Sequence, residues 1–166
     1  MLKILKIFFI VGIILTYSSV QPVFCADRYS LLCSPATSTI FLDTQSIKMT
    51  LSDDQGWLYI TAWIKIKPNA QGIKNELATR KQQNVSTAGF ENLNYSLLQS
   101  ILGYDSASGK MVYKNISYTD YDKNGKILDT QTYPNESFDD VIPKSTGETI
   151  ALNILRYTTE HNIHPE

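Results

Sequence analysis

The chain has 166 residues, with 15 Lys and Arg against 16 Asp and Glu, 43% hydrophobic residues and two cysteines. A formal charge of −1 argues against nucleic acid or an anionic membrane surface as the main partner, and the length suits one domain with a real core.

The first 25 residues read as a secretory signal peptide. Lys3 and Lys6 form a basic start, a short apolar run spans 7–15, and a polar stretch leads to Val23-Phe24-Cys25-Ala26. That run is too short to cross a bilayer as a helix, which needs about 20 apolar residues. Cleavage is expected after Cys25 or Ala26, with no transmembrane anchor left behind. Lipid anchoring at Cys25 is disfavoured because the large Phe24 precedes it. Removing 25 of the 166 residues leaves 141, and the loss of Lys3 and Lys6 leaves that domain at −3. Export is therefore expected. Cys33 would then be the single interior thiol; it sits in Leu31-Leu32-Cys33, which fits a buried structural cysteine, with intermolecular pairing as the alternative.

Residues 26–37 read as a lead-in and 38–160 as the domain. Residues 57–67 alternate strictly: Leu58, Ile60, Ala62, Ile64 and Ile66 on one side, Trp57, Tyr59, Thr61, Trp63, Lys65 and Lys67 on the other. Period two over eleven residues predicts a strand, and the turn at 53–56 makes 39–51 its antiparallel neighbour. Residues 73–81 predict a short surface helix with Ile73 and Leu77 on one face, followed by a polar loop through 84–92. Strands follow at 95–104, 111–121 and 126–133. Asn124-Gly125 would suit a two-residue hairpin, but that register sets Asp120 against Asp129 and Lys123 against Lys126. A three-residue loop, with Gly125 left-handed and Asp122 paired with Lys126, avoids both. Near the end, Ser145 and Glu148 fit a capping box, with Glu148 reaching back to Ser145. Ile150, Ile154 and Tyr157 then share a helical face, and 161–166 reads as a disordered tail. The expected fold is α+β: a single antiparallel sheet of about five to six strands, with a short middle helix and a C-terminal helix packed on it.

Catalytic and metal signatures are weak. The segment from Asp120 to Gln131 starts like a calcium loop but has Gln where the bidentate Glu belongs. His161 and His164 lie beside Pro165 with no third ligand in view. No nucleophile elbow, phosphate loop or Cys–His pair occurs, so no cofactor, metal or catalytic residue is expected. Sequons at Asn84, Asn94, Asn115 and Asn135 would matter only in a eukaryotic secretory host. The candidate contact surface is Trp57, Tyr59 and Trp63: either helices cover these rings, or they face a partner protein or a second copy in a homodimer.

Four segments resemble the surface-adhesin protein E family of small exported bacterial proteins. They are Phe41-Leu-Asp43-Thr-Gln-Ser46-Ile47, the Trp-containing strand at 57–67, Tyr118-Thr-Asp-Tyr-Asp-Lys-Asn-Gly125, and Phe138-Asp-Asp-Val-Ile142-Pro143-Lys-Ser145 followed by Glu148. Phe138 stands where the family favours Trp, and Lys144 where it favours Gly. The resemblance implies an antiparallel sheet with a C-terminal helix and attachment to host extracellular-matrix proteins, and with the leader it implies location in the periplasm or at the cell surface of a bacterium. The expected function is thus an exported, non-enzymatic protein-binding domain. The alternatives are an envelope protein or small-ligand binder with a cleft between sheet and helix, and a hydrolase built on two close buried carboxylates.

Overall fold

The alternating run becomes a twelve-residue strand, Trp57–Pro68, at the centre of an antiparallel sheet. In chain order the strands are β1 (Tyr29–Cys33), β2 (Ser38–Asp43), β3 (Lys48–Leu51), β4 (Trp57–Pro68), β5 (Leu93–Asp105), β6 (Met111–Asp122), β7 (Ile127–Thr132) and β8 (Asp139–Asp140). Among the described residues there are also two α-helices, α1 (Ala70–Gln82) and α2 (Thr146–Glu160). This computed structural model describes residues 27–52, 56–134 and 137–166. The expected leader and its cleavage site, most of the turn before β4, and the Asn135 sequon lie outside the described residues.

Among the described residues the sheet has eight strands, more than the five or six expected. Six follow the path β1-β2-β4-β5-β6-β7, while β3 pairs with β4 and β8 with β6. Part of the excess lies in the expected lead-in, where β1 pairs with β2. The rest comes from β8 and from 39–51, which divides into β2 and β3 around a 3-10 turn, Thr44–Ser46. The division has a local cause. Asp43 accepts the Gln45 N–H at 3.3 Å and binds Arg28 at 2.7 Å, while Ser46 Oγ donates to the Asp43 carbonyl at 2.7 Å. The same Ser46 oxygen accepts the Trp63 N–H at 2.8 Å. A side chain thus satisfies the β4 donor where the neighbouring strand leaves the ladder.

The β6–β7 hairpin has the expected three-residue loop. Gly125 has φ of 79°, the Asp122 N–H donates to the Lys126 carbonyl, and Asp122 Oδ1 accepts from the N–H groups of Asn124 and Lys126. These bonds hold the Asp122 carboxyl below its usual range. The register then shifts. Tyr121 faces Ile127, but an extra residue at Leu128 sets Asp120 against Asp129 after all. The like-charge opposition that the loop avoids near its turn returns one step further on, and side chains from elsewhere compensate it.

Alternation in β4 assigns the two faces. Ile60, Ala62 and Ile64 join Leu32, Ile40, Leu42, Met49, Leu102, Ala151 and Ile154 in the core, with α2 lying over it. Its cap matches the sequence at one end only. Ser145 Oγ accepts the Glu148 N–H at 3.1 Å, but Glu148 Oε2 takes the Lys144 N–H at 2.6 Å, not that of Ser145. The Ser145 N–H already donates to the Ile142 carbonyl. The last residues return to the sheet: Ile163 packs against the core and the Glu166 N–H donates to the Met49 carbonyl at 3.0 Å.

Helix α1 extends beyond the expected 73–81 because Asn69 caps it, accepting the Gly72 N–H at 3.0 Å. Asn69 also ties this corner to the chain before β2 through Ala36 and Thr37. Gly72 lies so close to that segment that an added Cβ would sit 2.3 Å from the Thr37 carbonyl oxygen. Gly to Ala normally stabilises a helix by about 1 kcal/mol. Here Gly72→Ala is expected to reverse the sign and destabilise by about 1–2 kcal/mol, because backbone must move. Urea unfolding of the variant beside wild type measures this, and a stabilised variant would show that the corner yields freely.

Candidate functional site

Trp57, Tyr59 and Trp63 share the β4 face opposite the α2-covered core, and all three are half-buried. Trp57 and Tyr59 are stacked at 6.3 Å, and Tyr59 meets Phe138 at 5.5 Å. Tyr59 lies opposite Gly103, where a Cβ would meet its ring at 3.0 Å; the missing side chain lets the ring rest against the next strand. Lys114 Nζ stands 5.3 Å from the Phe138 ring centre, adding a cation to the cluster. Trp63 lies on the same face about 13 Å along the strand from Tyr59. The structure therefore joins two of the three expected residues into one cluster and sets the third apart.

At the other end of this face is a group that periodicity alone could not assemble. Lys65 Nζ stands 4.5 Å from the ring centres of both Tyr29 and Tyr95. Tyr95 stacks on Tyr121 at 4.8 Å, and Arg28 lies over Tyr29. Lys65 was visible as an outward residue of β4. Its tyrosine partners come from β1 and β5, so only strand order brings them together. Burial and the neighbouring tyrosines push the Tyr95 hydroxyl above its ordinary pKa.

The opposite face holds a buried polar cluster under α1. Register places Ser96 and Asp120 on the side of Ile64 and Leu98. Ser96 Oγ donates to Asp120 Oδ1 at 2.5 Å and accepts from the Tyr118 hydroxyl at 2.9 Å. Beside them Arg80, 7% exposed at its side chain, donates to Asp129 at 2.8 Å and to the Ser86 carbonyl at 2.6 Å. Its guanidinium also lies 3.8 Å from the ring centre of the buried Phe90. Burial is the main reason that Asp120 and Tyr118 titrate above their ordinary ranges; the charge of Glu76 adds to it, while Arg80 pulls Asp120 back. Of the carboxylate pair that a hydrolase would need, Asp120 is buried and raised, whereas Asp129 opposite is ion-paired with Arg80.

The raised Asp120 gives a pH prediction with a definite sign. The folded state holds this proton more tightly than the unfolded chain, whose carboxyl titrates near 3.8. Asp120 therefore contributes most stability below that value and loses it as pH rises through the folded pKa. The stability of wild type relative to Asp120→Asn is expected to fall as pH rises from 3.8, then level off. Urea unfolding across that range tests this, and a difference independent of pH would refute it.

Between β5, β6 and the start of α2 lies a cleft of about 200 Å³, walled by Ile64, Leu98, Ile150 and Ile154. Its polar side chains include Ser100 and Asn115, joined at 3.0 Å. Cys33, half-buried against the core, is raised in pKa by desolvation. His161 stacks on Tyr157 at 3.9 Å. Among the described residues no cluster of three or more His, Cys, Asp or Glu could hold a metal ion, and no helix is long and apolar enough to cross a membrane.

No protein-family model, no curated protein and no solved structure matches this chain.

Proposed function

We propose that the protein is an exported, non-enzymatic binding domain that docks a partner protein on the face bearing Trp57, Tyr59 and Trp63. The observation carrying this reading is the placement of the sheet's ring clusters opposite the helix-covered core. Trp, Tyr and Arg are the residues most often found at binding hot spots, and rings already stacked in the free domain lose little freedom on docking. The resemblance to the surface-adhesin protein E segments directs the choice of partner to host extracellular-matrix proteins, with an envelope protein or a second copy as the other occupants.

Protease shaving of whole cells producing the full chain, with antibody detection, tests export to the surface. Retention of the purified domain on immobilised matrix proteins tests the face. Tyr59→Ala is expected to weaken binding at least about tenfold, because it removes the central ring between Trp57 and Phe138. A protein shielded from protease in intact cells, or binding unaffected by Tyr59→Ala, would overturn the proposal.

A further inference from the structure

We infer that the cleft between β5, β6 and α2 is a binding site for a small uncharged molecule with a short aliphatic body and one carbonyl group. Ile64, Leu98, Ile150 and Ile154 give it apolar walls, and no charged side chain is among the described residues lining it. An ionised ligand would lose its hydration there without a counter-charge. Beside the Tyr113 phenol, the site has a polar pair set in place by the backbone. Between Gln99 and Ser100 the β5–β6 register shifts, so that Gln99 faces Ser117 while Ser100 faces Asn115. The extra residue, Ile116, turns Asn115 onto the same face as Ser100; an unbroken ladder would set it opposite Ile101 and point it to the other side. Bulges re-aim side chains in this way beside functional sites.

Asn115 accepts the Ser100 hydroxyl proton through Oδ1, which leaves its amide N–H groups as donors to the cleft, beside the Tyr113 hydroxyl. A donor in an apolar setting selects an acceptor, and a ketone, ester or amide carbonyl supplies one without charge. Size sets the body: an apolar cavity of ~150 Å³ holds benzene, so about 200 Å³ admits roughly eight heavy atoms. This site is separate from the aromatic face and does not depend on the partner proposed for it.

The test is titration of the ¹⁵N-labelled protein with heptan-2-one, followed by amide chemical shifts. Saturable shifts at Leu98, Ile150 and Ile154 are expected, with a Kd between about 0.1 and 1 mM. Ile150→Trp should abolish them by filling the cleft, and Asn115→Ala should weaken binding about three- to tenfold through loss of one hydrogen bond. Absence of saturation, or shifts confined to the Trp57–Tyr59 face, would overturn the inference. If Ile150→Trp does not fold, Asn115→Ala decides: unchanged affinity would overturn carbonyl recognition at this site.

Discussion

Replacing Arg80 with Ala is expected to lower the free energy of unfolding by about 3 kcal/mol, at the low end of the range for breaking a buried ion pair. Arg80 is ion-paired with Asp129 at 2.8 Å, also reaches Glu76 at 3.7 Å, and covers Phe90. Its removal leaves Asp129 facing Asp120 across the hairpin without the cation that pairs it. The side chain of Asp129 is 29% exposed and keeps some hydration, which is why the lower end applies. In a domain of this size the loss corresponds to roughly 10 °C in Tm. Arg80→Lys should recover less than half, since an ammonium cannot hold Ser86 and Asp129 together while stacking flat on Phe90. The same Arg80→Ala variant should titrate Asp120 still higher, because the cation that pulls its pKa down is gone. Thermal unfolding and carboxyl ¹³C NMR measure the two effects; a change in neither would remove Arg80 from the cluster's energetics.

Leu42→Ala is expected to cost about 3 kcal/mol, within the 2–5 kcal/mol span for emptying a buried leucine site. Leu42 is wholly buried, opposite Ser30 in β1 and Ile64 in β4, and belongs to the core beneath α2. Its backbone is held on both sides by ladder bonds, so the strands cannot close over the lost volume. Leu152→Ala is the control: Leu152 is 50% exposed and its truncation should change stability by less than about 0.5 kcal/mol. Equal effects at the two positions, measured by urea unfolding, would contradict the core assignment.

Much of the sheet was legible because alternation is a direct consequence of strand geometry. Residues 57–67 sorted into a core side and an outer side by position alone, and Ile60, Ala62 and Ile64 are buried as that sorting requires. Ser145 as the cap of α2 and Gly125 as the left-handed residue of the last hairpin were readable for the same reason: each answers to φ/ψ and donors within a few residues. What stayed hidden was set at longer range. The break at Thr44–Ser46 depends on Arg28 and Trp63, fifteen and seventeen residues from their partners. The spacing from Asp43 to Ser46, noticed in the sequence as part of a resemblance, now has a mechanical reason: one residue anchors the turn and the other closes it against β4.

The candidate site divides along the same line. Trp57, Tyr59 and Trp63 could be named from one strand, but Tyr29, Tyr95 and Phe138 join their face from other parts of the chain, 79 residues away in the case of Tyr59 and Phe138. Arg80 lies in the segment expected as a surface helix, and nothing near it in sequence announces Asp129 49 residues later. Asn115 read as a doubtful sequon; a register shift of one residue made it a polar group of a cleft.

By itself, then, the sequence determined the kind of elements present, which side of β4 meets the core, and how the last helix begins. These are properties of period, cap and turn, all decided by neighbours in the chain. The tertiary structure decided how many strands the sheet contains, where the one run breaks, which charges meet under α1, and which rings gather on the opposite face. Those outcomes depend on strand order and register, where a single bulged residue moves a side chain from one face to the other.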